Sequence, residues 1–191
     1  AGGKLSIVAG TSTDTAIDAT GQGGSIDMTA GSGKGATGGA ISMIGGSGTL
    51  RTSGSIVILT RNAGGDGISG KLVFSSGTTS KGNSGSISIG SGQAATGAGG
   101  LVSITVGSGN KNAGGALSIV AGSSTGTAAQ AQGGSLTLTA GSGAGATGGA
   151  ITFIAGEGKA TTSGSIVVKT VNAGTNGISG GLVFSSGTAK K

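Results

Sequence analysis

The apolar residues of this chain recur in pairs whose members are two positions apart. The first pair is Leu5/Ile7, and the arrangement returns about every 15 residues as far as Leu182/Phe184. Successive side chains of a strand point to opposite sides, so an alternation with a period of two is typical of a strand with one buried face. The pattern predicts one short strand per repeat, with both members of the pair facing inward. The pairs are Leu5/Ile7, Ile26/Met28, Ile41/Met43, Ile56/Ile58, Leu72/Phe74, Ile87/Ile89, Val102/Ile104, Leu117/Ile119, Leu136/Leu138, Ile151/Phe153, Ile166/Val168 and Leu182/Phe184.

A Gly-rich segment follows each predicted strand, as in residues 31–39. Glycine takes the positive φ that tight turns need, so a turn is expected in every repeat. About 15 residues suit one coil of a narrow solenoid, in which each strand stacks on the last. We therefore expect an all-β fold, a parallel β-solenoid of about twelve coils of about 15 residues.

A longer repeat of about 110 to 112 residues contains the short ones. Residues 113–122 repeat residues 1–10 almost unchanged, and residues 182–187 repeat residues 72–77. We expect one tandem-repeat domain over 1–191, with a long repeat at 1–112 and a partial second repeat at 113–191. An antiparallel arrangement of the strands and a polyglycine II bundle are the alternatives. The near-constant period, with like residues at equal phase, favours the solenoid.

Composition supports an ordered fibrous or repeat protein. Glycine supplies 48 of the 191 residues and proline none, which excludes collagen. The chain is 34% hydrophobic and only 8% charged, whereas disordered chains are poor in aliphatic residues and carry high net charge. The net charge of +6 is spread along the chain, and Tyr and Trp are absent, so no specific nucleic-acid partner is expected.

Candidate chemistry is sparse. The sequence has no cysteine and no histidine, which excludes disulfides, the usual zinc sites and Ser-His-Asp triads. Asp14 and Asp18 share one loop, but the corresponding loop of the second long repeat has neither acid, so both are interpreted as surface residues. No apolar run is long enough for a membrane-spanning helix. The sequence predicts no enzyme, no cofactor, no metal site and no membrane insertion.

The repeat has the form Gly-Gly-x-Φ-x-Φ-x-Ala-Gly-x-Gly, where Φ is apolar. Residues 24–33 match it from its second glycine onwards, and residues 39–48 do so with Gly45 in place of Ala. This motif resembles the Gly/Ser/Thr-rich tandem repeats of secreted β-solenoid and fibre proteins, such as extracellular proteins of diatoms and related algae and fibre proteins of phages and other viruses. The resemblance covers essentially the whole chain. It implies a structural role outside the cell, as a secreted protein or on a virion surface.

The outward positions of the predicted strands are mostly Ser, Thr or Gly, with a few apolar exceptions in adjacent repeats. A clustered exposed apolar patch is unusual unless something covers it, so these residues are predicted to form lateral contacts with another rod or a partner. The alternative is that they only reflect β-propensity on a tolerant surface. The predicted lateral contact residues are Ile44, Val57, Leu59, Val73, Ile154, Val167 and Val183.

Two functions remain open from the sequence. One is a structural rod, filament or fibre shaft that self-associates end to end, because uncapped terminal coils leave backbone groups unpaired. The other is a binding module that presents a flat solenoid face to ice, glycan or mineral.

Overall fold

The computed structural model describes residues 3–13, 22–64, 67–111, 113–126 and 131–189. Within these ranges the chain forms neither a helix nor a β-strand. Its local order consists of short bends and one turn in the Gly-rich segments, joined by irregular segments that carry the apolar pairs. The bends lie at 34–36, 49–51, 80–82, 95–97, 110–111, 144–146 and 159–161, and the turn lies at 175–176.

The chain divides into two compact units, Ala1–Ala95 and Thr96–Lys191. Both units contain a recurring local structure, which we call a closed loop. In it, a glycine that follows Gly or Ser donates its N–H to the carbonyl oxygen of an earlier glycine. In the loop 31–39 the Gly39 N–H donates to the Gly31 oxygen over 2.8 Å. The closed loops are 10–24, 31–39 and 46–54 in the first unit and 107–115, 122–134, 141–149 and 156–164 in the second.

Most closed loops have a narrow neck, where an alanine packs against the donor glycine; in the loop 107–115 the corresponding residue is Val106. A Cβ added at Gly39 would lie 3.4 Å from the Ala30 Cβ, and one at Gly149 would lie 3.4 Å from the Ala140 Cβ. Necks of this kind hold most of the least exposed residues of the described ranges. These half-buried residues are Ala9, Ala30, Gly45, Ala63, Ser76, Ala121, Ala131, Ala140, Ala155, Gly158 and Ala173.

The predicted all-β parallel solenoid of about twelve coils is therefore wrong. In-register stacking needs a ladder of backbone hydrogen bonds between residues about 15 apart, along whole strands. In the part of the chain that the structure describes, the bonds instead close each loop on itself at one point, most often across eight residues, as from Gly39 to Gly31. These backbone bonds lie within the loops and do not form ladders between the predicted strands, so no sheet is built.

The pairs predicted to face inward have no interior to face, because no hydrophobic residue of the described ranges is buried. The chain exposes 18767 Å² of surface. A folded monomer of 17.2 kDa would expose about 7,800 Å², and the fully unfolded chain about 25,000 Å². The isolated chain therefore keeps roughly three quarters of the unfolded surface in contact with solvent.

Candidate functional site

The apolar pairs are exposed to solvent along both units of the chain. The first members of the pairs keep a trace of the predicted inward phase: Ile56 is 48% exposed and Ile151 is 47% exposed. The second members of most pairs are more open, and Phe184 is 82% exposed, although in the first pair Leu5 is more exposed than Ile7. These apolar side chains are therefore in contact with water, although their burial would be favourable.

One shallow apolar depression joins two consecutive repeats of the first unit. Phe74, from the pair Leu72/Phe74, lines it together with Ile87, Ser88 and Ile89 from the next repeat. Its volume is about 420 Å³. Three of its four residues are members of the pairs, so this is a place where neighbouring pairs present a joint apolar surface without burying each other.

The predicted lateral contact residues are all exposed. Ile44, at 86%, is the most open of those in the first unit, and Ile154, at 85%, is the most open of those in the second. None of the seven lines the depression, which is formed by pair residues and Ser88. Their role in a lateral contact remains a prediction.

Sequence reasoning missed two isoleucines, Ile68 and Ile178, which are 98% and 99% exposed. Each directly follows a glycine whose N–H donates over 3.2 Å to the oxygen of a glycine three residues earlier, from Gly67 to Gly64 and from Gly177 to Gly174. The signal was present in the sequence, because Gly-Ile-Ser-Gly occurs at the same place in both long repeats. These isoleucines lie outside the alternating pairs, so a search for period-two patterns passes over them.

Positive charge gathers in the bends. Five of the bends carry a cationic residue, and none of these residues forms an ion pair with an acidic side chain of the described ranges. Asp27 accepts a hydrogen bond from the Ser25 hydroxyl over 3.2 Å. The bends therefore present cations directly to solvent. The five residues are Lys34, Arg51, Lys81, Lys111 and Lys159.

The described ranges contain no group of three or more side chains suited to hold a metal ion. Across the same ranges, no helix is long and apolar enough to cross a membrane. Asp14 and Asp18, interpreted from the sequence as surface residues, lie outside the described residues. Comparisons with protein-family models, with curated proteins and with solved structures gave no match.

Proposed function

We propose that this protein is an extracellular structural repeat protein that completes its folding when copies associate into a filament or fibre. The observation that carries the proposal is the absence of a buried hydrophobic residue in the described ranges of a chain that is 34% hydrophobic. Ordering a chain costs conformational entropy, which burial of apolar surface must offset. A single copy buries too little, and association supplies the missing burial.

Magnitudes favour an extended association over a small contact. The apolar patch Ile44, Val57, Leu59 and Val73 is 60 to 86% exposed, and covering it contributes about 6 kcal/mol at about 2 kcal/mol per fully buried side chain. Association costs an estimated 4 to 15 kcal/mol or more in lost freedom of movement. One patch therefore barely offsets the cost, whereas many equally spaced pairs together exceed it.

A second copy of the same chain is the occupant that fits this surface. Its pairs recur at about the same spacing, so contacts made in one repeat are available again in the next. The surface to be covered is also apolar and uncharged, which suits a partner of the same kind. A structural role without catalysis agrees with a sequence that lacks histidine and cysteine.

The experiment is to follow the purified chain by analytical ultracentrifugation and negative-stain electron microscopy over a range of concentrations. We expect elongated assemblies above a critical concentration, together with a gain of ordered backbone in circular dichroism. The triple variant Val57→Ser, Leu59→Ser, Val73→Ser is expected to raise the critical concentration several-fold. The matched control Ser42→Asn, at an exposed polar position, leaves it unchanged. A monodisperse, unstructured monomer at the highest attainable concentration overturns the proposal.

A second candidate function is a binding module for an acidic glycan or an anionic mineral surface. The observation that favours it is the set of solvent-exposed cations in the bends, such as Lys34 and Lys159. The dependence on salt concentration distinguishes the two functions, because salt screens both the repulsion between like-charged chains and the attraction of the cations to a polyanion. Self-association of a chain of charge +6 strengthens as salt is added, whereas binding to a polyanion weakens.

A further inference from the structure

The turn at 175–176 ends at Asn176, which together with Gly177 forms the only Asn-Gly dipeptide of the sequence. The other asparagines are followed by Ala, Ser or Lys. Asn176 is exposed, and the residue after it has no side chain to shield its backbone nitrogen. Hydrolysis of an asparagine through its own main chain requires this combination of an open carboxamide and an unhindered backbone nitrogen.

Two hydrogen bonds hold the segment 173–179, one at its ends and one, which is weaker, beside Asn176. The Ala173 N–H donates to the Ser179 hydroxyl over 3.1 Å, which fixes the neck. The Gly177 N–H donates to the Gly174 oxygen over 3.2 Å, at the long limit for a hydrogen bond of this kind. The backbone nitrogen next to Asn176 is therefore held only by a weak bond, and glycine gives it freedom to rotate.

We propose that Asn176 is a site of spontaneous deamidation. The Gly177 backbone nitrogen loses its proton and attacks the side-chain carbonyl carbon of Asn176, forming a new C–N bond. The bond from that carbon to Nδ2 breaks, and ammonia leaves with the protons it needs from solvent. Water then opens the five-membered imide at either carbonyl, giving aspartate or isoaspartate. One water is consumed and one ammonia is released, with no oxidation or reduction.

The first long repeat indicates which product the fold accepts. Its corresponding dipeptide is Asp66-Gly67; Asp66 itself lies outside the described residues. The bond from Gly67 to Gly64 has the same 3.2 Å length as the bond from Gly177 to Gly174. Aspartate at 176 is therefore expected to keep the bond from Gly177 to Gly174, and it gives the second long repeat the Asp-Gly dipeptide that the sequence of the first long repeat already has. Isoaspartate inserts an extra methylene into the main chain and breaks the turn.

The test uses the full chain, aged in mildly acidic and mildly alkaline buffers and then cleaved at lysine. The peptide that follows Lys169 contains both Asn176 and Asn172, so Asn172, which precedes Ala173, is an internal control. Tandem mass spectrometry locates the deamidated residue, and isoaspartate methyltransferase detects the rearranged product. We expect deamidation at least tenfold faster at Asn176 than at Asn172, faster in alkali, with isoaspartate among the products.

Two variants complete the test. Ala173→Gly creates a second Asn-Gly dipeptide, Asn172 followed by glycine. The backbone N–H at position 173 donates to the Ser179 hydroxyl, which holds this nitrogen in place. We therefore expect Asn172 in this variant to deamidate more slowly than Asn176. Asn176→Asp is expected to keep the amide protection of Gly177, as the loop at Gly67 implies. Equal rates at Asn176 and Asn172 in the unaltered chain overturn the proposal, and so does a rate at Asn176 that does not rise in alkali.

Discussion

Closing of the loop 31–39 depends on the absence of a side chain at Gly33. A Cβ at this position would lie 2.5 Å from the Thr37 carbonyl oxygen and 2.7 Å from the Ala36 carbonyl oxygen. Ordinary contact begins near 3.4 Å, so Gly33→Ala forces the backbone to move by about 0.9 Å. Overpacking of this kind costs about 1 to 3 kcal/mol.

The bond that closes this loop, from the Gly39 N–H to the Gly31 oxygen, contributes only about 0.5 to 1.5 kcal/mol to stability. At the middle of the two ranges the strain in Gly33→Ala, about 2 kcal/mol, exceeds the stabilisation by the bond, about 1 kcal/mol, so the loop is expected to open. Hydrogen exchange measured by NMR reports this directly. In the parent chain the Gly39 amide is expected to exchange roughly two- to twelvefold more slowly than an open chain. In Gly33→Ala this protection is lost.

Gly31→Ala is the matched control, because a Cβ at Gly31 meets nothing within 4 Å. Its loop is expected to stay closed, with the protection of Gly39 unchanged. The second unit offers an independent replicate, in which Gly143 corresponds to Gly33 and Gly141 to Gly31. Equal protection of Gly39 in both variants, whether kept or lost, would refute the argument that close backbone approach decides loop closure.

Three further predictions rest on other observations. Gly35 has a φ of 83°, whereas its counterpart Gly145 does not have a positive φ. Gly35→Ala should therefore destabilise the loop 31–39 by about 1 to 2 kcal/mol, and Gly145→Ala should leave the loop 141–149 unchanged, as amide exchange in the two loops will show. A Cβ at Gly115 would collide with the Val106 side chain, so Gly115→Ala should open the loop 107–115, and adding Val106→Ala should close it again, as NMR shifts of the loop will show. Raising the salt concentration should lower the critical concentration for assembly, because it screens the repulsion between chains of charge +6; a rise measured by light scattering would contradict the proposed self-association.

The sequence predicts a turn in every repeat, whereas the described ranges contain bends in several Gly-rich segments and one turn, at 175–176. Bends and closing bonds do lie in the Gly-rich segments, as at 34–36 within the loop 31–39. The expected reason was positive φ, yet among the described glycines only Gly35 has it. At Gly33 the requirement is close approach of two carbonyl oxygens, and at Gly39 it is packing on Ala30. The spacing of glycines along the sequence indicates where glycine is needed, but only the folded backbone shows which atoms a side chain would collide with at each position.

The period of about 15 residues could not establish how one repeat contacts the next. Such a period is compatible with hydrogen bonds between repeats, which build a solenoid, and with bonds inside each repeat, which build closed loops. The conformational entropy lost on ordering decides between the two arrangements. In-register stacking must offset the entropy lost by whole strands, whereas the bond from Gly149 to Gly141 has to offset only the entropy lost on closing a short segment. With two large apolar residues per repeat, the isolated chain makes the local choice.

That local choice still organises the surface on which the proposed function depends. Each neck fixes the ends of a segment, so the pair Ile151/Phe153 is presented between the necks of the loops 141–149 and 156–164. Closing a loop beforehand removes part of the entropy that a second chain would otherwise have to offset on binding. A loop opened by a single alanine, as at Gly143, should therefore weaken assembly, since it releases the segments on both sides of the neck. Loop closure and self-association are in this view two stages of one folding reaction, the first inside the repeat and the second between chains.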